Sequence, residues 1–202
     1  MKRPTSRLGA LAHIARRALD LPLDRLQIAR DPVGWARKRG VTIGEDAILA
    51  GLTRGTFGTE PDLISIGDHV AIAAGTGFVT HDGCVRIFHD RHPNLEVLGE
   101  ITIGNNVVVG VNCVLLPDTH IGDDSVVGAG AVVRGTFPPG SVIAGVPARV
   151  IGTTEDYLEK ILPDATFFPI RDHAELVPLW HRWRKGEIDA YGKPRRRADR
   201  PD

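Results

Sequence analysis

The chain has 202 residues, which is enough for one domain with a sizeable hydrophobic core. Its 25 Lys and Arg residues equal its 25 Asp and Glu residues, so the overall charge does not favour nucleic-acid binding. The two cysteines do not suggest a disulfide scaffold. No stretch approaches about 18 apolar residues, and the N-terminus lacks the apolar core of a signal peptide, so we expect a cytoplasmic protein.

Residues 1–40 are predicted to form a helical N-terminal extension. They contain ten Lys or Arg and three Asp, and apolar residues recur at helical spacing from Leu8 to Leu19. A second short helix is predicted from about Pro32 to Arg39. A basic amphipathic segment can bind an anionic membrane surface peripherally. We favour the simpler interpretation, in which it packs on the rest of the protein or on a neighbouring subunit.

A six-residue period runs through residues 41–152. It begins weakly at Ile43, is lost over GLTRGTFGTEPDL and resumes at Ile66. Large aliphatic residues then recur every six positions, at Ile103, Val109, Leu115, Ile121, Val127 and Val133. Four positions after each of the first five lies a small or β-branched residue: Val107, Cys113, Thr119, Ser125 and Ala131. This period fits neither an α-helix nor a simple strand. It fits three short strands per turn of a triangular coil, so we predict an all-β fold, a parallel β-helix of hexapeptide repeats.

The repeat is interrupted between Phe78 and Ile103. We predict an insertion at residues 84–102, CVRIFHDRHPNLEVLGEIT, which directly follows the segment THDG. Compact domains rarely keep such a long loop without a function. Residues 153–202 are predicted to form a C-terminal helical extension, with helices in TEDYLEKIL and HAELVPLWHRWRKGE, followed by a basic tail.

His81 is the candidate catalytic residue, because it ends a repeat strand where the long loop begins. A neutral imidazole can accept the proton of a hydroxyl group near pH 7. Such a base works best when a hydrogen-bond acceptor holds its other ring nitrogen, and Asp82 and Glu60 are candidates for orienting His81 or for binding the acceptor. His89 and His92, in the loop, are candidates for lining an acceptor pocket.

Several motifs in the repeats resemble those of a known family. IGNN, IGDDSVVGAGAVV and the closing AGVPARVI are similar to motifs of the left-handed β-helix acyltransferases, which include serine, sugar and virginiamycin O-acetyltransferases. The segment GTEPDLISIGDHVAIAAGTGFVTHDG resembles the capsular and lipopolysaccharide sugar O-acetyltransferases in particular. The resemblance implies a left-handed coil and a catalytic role for His81.

The same resemblance implies that acetyl-CoA is the acyl donor and that the protein is a homotrimer with sites between subunits. It places the donor groove at Gly110, Val111, Ala129, Arg134 and Arg149. Two positions that are often basic in relatives are Gly135 and Gly152 here, and the basic segment from Arg182 to Lys185 could replace them.

The expected acceptor is a hydroxyl of a sugar or nucleotide sugar, a precursor of a cell-surface glycan. Alternatives are N-acetylation of an amino sugar, acetylation of another small acceptor, and an inactive β-helix scaffold. A metal enzyme of the γ-carbonic anhydrase type is a further alternative, but it needs three converging histidines. His81 and His120 lie in different coils, but no two histidines in the later coils have plausible ligand spacing, so no metal is expected.

Overall fold

The computed structural model describes residues 23–168 and 173–193. The predicted helix between residues 8 and 19 and most of the basic tail lie outside these residues. The chain divides into two compact units, residues 1–154 and 155–202. The helices are α1 (23–30), α2 (Pro32–Lys38), α3 (Thr154–Ile161) and α4 (His173–Arg184). The strands are β1 (Thr42–Ile43), β2 (Ile48–Leu49), β3 (Ile64–Ile66), β4 (Ala71–Ile72), β5 (Gly77–Phe78), β6 (Ile101–Ile103), β7 (Val108–Val109), β8 (Val114–Ile121), β9 (Val126–Val127), β10 (Val132–Phe137), β11 (Ser141–Gly145) and β12 (Ala148–Thr153).

The first unit is a parallel β-helix with three faces. The first face has the strand order β1-β3-β6-β8-β10, and the second has the order β12-β11-β9-β7-β4-β2. On the third face, β5 and the beginnings of β8 and β10 lie side by side. In the regular coils each residue pairs with the residue 18 positions later, as Val109 does with Val127. Three hexads therefore complete one coil.

The hexad pattern marks the interior of this coil. All six aliphatic residues from Ile103 to Val133 are buried, and so are the five small or β-branched residues between them. Burial raises the pKa of the Cys113 thiol, which donates a hydrogen bond to the carbonyl of Gly128 at 3.3 Å and belongs to the core. The prediction that these positions point inward is confirmed.

A ladder of side-chain hydrogen bonds stabilises the corner between the first and second faces. The backbone N–H of Glu45 donates to the side-chain oxygen of Asp68. In the same way, the N–H of Asp68 donates to the side chain of Asn105, and the N–H of Asn105 donates to the side chain of Asp123. The glycine before each turn leaves room for that oxygen: a Cβ at Gly104 would lie 2.3 Å from Asp123 Oδ1. The repeated IG followed by Asp or Asn in the sequence is the signature of this ladder.

Two insertions break the regular pairing. Ile43 pairs with Ile66, 23 positions later, so the first coil carries five extra residues. Ile66 pairs with Ile103, 37 positions later, so the second coil carries 19 extra residues. The loop lies slightly earlier than the predicted 84–102, because residues 101 and 102 belong to β6 and pair with both β3 and β8.

Helices precede the β-helix and follow it. Residues 23–30 form α1, which the sequence pattern did not indicate. The predicted second helix is α2, capped by the Asp31 side chain. In the second unit, α4 includes Pro178, as predicted, and Ile188 is buried.

Candidate active site

The long loop leaves and rejoins the β-helix at a narrow neck beside His81. His81 forms an isolated antiparallel bridge with Leu98, and the N–H of Asp82 donates to the carbonyl of Val97 at 2.9 Å. The N–H of Gly99 then donates to the carbonyl of Thr80 at 2.9 Å. His81 is thus fixed at the corner between the third face and the first, with its side chain 41% exposed.

Glu60 lies directly against His81. The distance from His81 Nδ1 to Glu60 Oε2 is 3.0 Å, and the Glu60 side chain is 30% exposed. Glu60 belongs to the shorter insertion, one coil before His81, and precedes a short 3₁₀ turn at Pro61–Leu63. The two residues are 21 positions apart, so only the stacking of the two coils brings them together.

Two threonines hold the Glu60 carboxylate. Thr80 Oγ1 donates to Oε2 at 2.8 Å, and Thr59 Oγ1 donates to Oε1 at 2.5 Å. Thr80 is fully buried. Burial acts to raise the pKa of Glu60, but the hydrogen bonds from Thr59, Thr80 and His81, with the attraction to the His81 ring, hold this pKa below its ordinary value. Sequence reasoning missed both threonines, because their role depends on the position of Glu60.

The ionised carboxylate determines which nitrogen of His81 carries the proton. A carboxylate can only accept hydrogen bonds, so Nδ1 must be the donor in the contact with Glu60. The lone pair of the neutral ring then lies on Nε2. This arrangement suits a general base whose orientation is set by its neighbour.

Of the other three candidate side chains around the neck, Asp82 and His89 have hydrogen-bond partners within the loop. Asp82 Oδ1 accepts from the N–H of Cys84 and caps a 3₁₀ helix over Gly83–Phe88. His89 Nε2 lies 3.0 Å from the carbonyl oxygen of Leu95. The His92 side chain is exposed. The structure therefore brings Glu60, and not Asp82, to His81.

The predicted donor residues fall at two different corners. Gly110, Val111 and Ala129 lie together at the corner between the second and third faces, where the N–H of Gly130 donates to the carbonyl of Val111 at 2.8 Å. A Cβ at Gly110 would lie 2.6 Å from the Ala129 nitrogen, so coil stacking itself requires glycine there. The N–H of Gly110 donates a hydrogen bond to the carbonyl of Val127 at 2.8 Å. Within the described residues, the N–H groups of Val111 and Ala129 make no hydrogen bond.

The two predicted phosphate-binding arginines lie apart. Arg134 is at the corner that also carries His81, and its Nη2 lies 3.7 Å from Asp118 Oδ2. Both side chains are exposed, so this ion pair contributes little stability. Arg149 is opposite Ala144 in the β11–β12 hairpin, and its Nη1 donates to the carbonyl of Ala148 at 2.7 Å.

Two searches of the described residues were negative. Within 23–168 and 173–193, no three His, Cys, Asp or Glu side chains are grouped so that they could hold a metal ion. None of the helices in these two stretches is both long enough and apolar enough to cross a membrane.

Comparison with known proteins agrees with this architecture. Residues 100–135 match the family described as bacterial transferase hexapeptide (six repeats). The chain is 42% identical over 149 residues to the protein CapG of Staphylococcus aureus, an alignment that covers 74% of this chain and 85% of CapG. The chain belongs to the bacterial hexapeptide transferases. This confirms the predicted family, the parallel β-helix of hexapeptide repeats and the prediction of a transferase.

Two further relatives have more specific names. The chain is 53% identical over 130 residues to the putative lipopolysaccharide biosynthesis O-acetyl transferase WbbJ of Escherichia coli K12, covering 63% of this chain and 57% of WbbJ. It is 42% identical over 99 residues to the galactoside O-acetyltransferase of the same organism, covering 46% of this chain and 45% of that enzyme. The chain thus spans about half the length of these two relatives.

Proposed function

We propose that this hexapeptide transferase moves an acetyl group from acetyl-CoA to a hydroxyl group of a sugar. The observation that carries the proposal is the 3.0 Å contact between His81 Nδ1 and Glu60 Oε2 at the neck of the long loop. The names of WbbJ and of the galactoside enzyme support both the acetyl group and a sugar acceptor. Fold alone would not choose the acceptor, because this architecture serves many substrates.

The proposed reaction is a direct transfer with His81 as general base. Nε2 accepts the proton of the acceptor hydroxyl while its oxygen attacks the thioester carbonyl, which becomes a tetrahedral oxyanion. The C–S bond then breaks, and the departing thiolate takes the proton from the imidazolium. Acetylated sugar and free CoA are the products, and His81 returns to its neutral form.

Glu60 is the proposed positioning residue for this step. Its carboxylate holds Nδ1–H and stabilises the positive ring that forms in the transition state. Thr59 and Thr80 keep the carboxylate in place and ionised.

The donor would bind along the corner that contains Gly110, Val111 and Ala129. The N–H groups of Val111 and Ala129, which donate no hydrogen bond within the part of the chain that the structure describes, would bind the oxyanion or the pantetheine arm. Arg149 and Arg134 are the proposed phosphate ligands, because guanidinium groups form charge-assisted hydrogen bonds with phosphates.

A homotrimer would complete the site. The donor corner and His81 lie at opposite edges of the third face of one chain. Thr76, whose hydroxyl donates to the carbonyl of Gly110, is five residues before His81, a separation of about 16 Å in an extended strand. One thioester therefore does not reach both edges of the same chain, whereas a neighbouring copy can bring its donor corner to His81.

The outer surface of the second face suits such a subunit contact. Its paired outward residues form an apolar column of Ile48, Ala71, Val108, Val126 and Val142. The corresponding column on the first face is polar and consists of Thr42, Ser65, Thr102, His120 and Thr136. Exposed apolar surface of this kind marks interaction sites.

Thiol release from acetyl-CoA tests the proposal with free sugars, nucleotide sugars, amino sugars, serine and chloramphenicol as acceptors. His81→Ala should reduce turnover about 10²- to 10⁴-fold, as removal of a general base typically does, and should leave CoA binding unchanged. His120→Ala, on the outer surface of the first face, is the matched control. If His81→Ala retains activity within a few-fold of the wild type, His81 is not the base. If only amino sugars are acetylated, the reaction is N-acetylation.

A further inference from the structure

A pocket separate from the His81 site lies between α1 and the beginning of the shorter insertion. Its volume is about 430 Å³. The lining residues are Arg25, Ile28, Ala29, Leu52, Thr53, Arg54 and Gly55. The pocket thus combines two guanidinium groups with an apolar wall, and it contains no acidic side chain among its lining residues.

The guanidinium of Arg54 is held in place from one side. Its Nε donates to Asp24 Oδ2 at 2.7 Å, and Asp24 Oδ1 accepts from Trp35 Nε1 at 3.1 Å. Trp35 is buried in the core, so this chain of contacts anchors the arginine to the rigid part of the protein. Among the described residues the Arg54 guanidinium is paired through Nε, so its terminal amino groups have no partner there and can bind an anion.

Further donors lie beside this arginine. Arg25 has no ion pair with any described carboxylate. A turn is closed by the hydrogen bonds between Thr53 and Thr56, and within the described part of the chain the backbone N–H groups of Arg54 and Gly55 make no hydrogen bond. Two guanidinium groups next to unpaired N–H groups favour an anion with several oxygens, and a phosphate is such an anion.

The pocket is within reach of His81. The insertion passes from the pocket at Thr53 to the Glu60 site, and Thr56 is hydrogen-bonded to Phe78 while Thr59 lies 3.4 Å from His81 Nδ1. The six steps along the chain from Thr53 to Thr59 span at most about 22 Å. A ligand extending from the pocket to His81 therefore has to bridge no more than this distance, which a nucleotide sugar or a phosphorylated oligosaccharide can span.

We propose that this pocket binds the phosphate of a phosphorylated sugar acceptor and so determines which sugars reach His81. The inference rests on the proposed function, because it assigns the pocket to the acceptor of that reaction. Arg25 and Arg54 recognise the phosphate, and Ile28 and Leu52 contact the apolar side of the ligand. A neutral sugar lacks the group that these donors bind.

Direct binding tests the pocket without relying on turnover. Calorimetry on the full chain would compare a hexose 1-phosphate, a nucleoside diphosphate hexose, inorganic phosphate and the free hexose. We expect saturable binding of the phosphorylated sugars and much weaker binding of the free hexose. Arg25→Gln should weaken this binding about tenfold or more, since a hydrogen bond to a charged group is lost. Arg30→Gln, on the same helix but outside the pocket, is the control.

Several results would overturn the proposal. The first is that Arg25→Gln and Arg30→Gln weaken binding of the phosphorylated sugar equally. The second is that no phosphorylated sugar binds saturably. The third is that CoA competes with the phosphorylated sugar, which would assign the pocket to the donor. Inorganic phosphate binding as tightly as the phosphorylated sugars would show an anion site without a sugar subsite. His81→Ala should still bind the phosphorylated sugar. If His81→Ala binds the phosphorylated sugar and also retains full turnover, the proposed role of His81 is wrong, whereas the assignment of the pocket to a phosphate still holds.

Discussion

Replacing Thr80 by Val removes one hydroxyl group from the site and keeps the shape of the side chain. Thr80 is fully buried and its Oγ1 donates to Glu60 Oε2 at 2.8 Å, on the same oxygen that contacts His81 Nδ1 at 3.0 Å. The variant therefore leaves His81 and Glu60 in the chain but frees the carboxylate from one of its two hydroxyl donors. Thr80→Ser keeps the hydroxyl and is the matched control.

The expected magnitude follows from the number and kind of these hydrogen bonds. A hydrogen bond to a charged group contributes about 1.5 to 3 kcal/mol, and partial exposure of Glu60 to water places this one at the low end. We expect Thr80→Val to lower the free energy of unfolding by about 1.5 kcal/mol at neutral pH. A less firmly held Glu60 should also reduce kcat about 3- to 10-fold, with the KM for the donor unchanged.

The same variant should change the pH dependence. The lowered pKa of Glu60 stabilises the fold above the ordinary pKa of a glutamate, and this contribution is lost as the pH falls through the lowered value. Loss of the Thr80 hydrogen bond raises the pKa of Glu60, so both stability and activity should begin to fall at a higher pH on the acidic side. Urea unfolding and pH–rate profiles of the two variants measure this. A Thr80→Val enzyme with the wild-type kcat and an unchanged acidic limb would refute the role assigned to Thr80.

Two further predictions concern the coils and the subunit contact. Gly104→Ala should lower the free energy of unfolding in urea by about 2 kcal/mol or more, because its Cβ would lie 2.3 Å from Asp123 Oδ1 and break the corner ladder. Gly77→Ala is the control. No atom lies within 4 Å of its Cβ, so it should change this free energy by less than about 0.5 kcal/mol. Equal effects of the two variants would contradict the ladder. Val108→Asp should dissociate the proposed trimer in sedimentation, and Thr102→Asp should not; a trimer that persists in Val108→Asp places the contact elsewhere.

The sequence alone was sufficient for the β-helix, because its signal is local and repeated. Each hexad supplies one inward aliphatic residue, such as Val109, and one small partner, such as Cys113, so every coil gives the same evidence again. The glycines of the IG turns, such as Gly104, can also be recognised, since each makes room for the next side chain in the ladder. His81 could be proposed because it ends a repeat where a long insertion begins.

Only the tertiary structure decided which groups surround His81. Glu60 and His81 lie on different coils, and both insertions between coils disturb the regular spacing of 18 residues, so no sequence distance indicates their 3.0 Å contact. Asp82, the nearer acidic residue in the sequence, turns toward Cys84 instead. The pocket at Arg25 and Arg54 likewise depends on how α1 packs against an irregular turn. Contacts between repeats follow from the period, whereas contacts made by insertions depend on how each insertion folds against the coils.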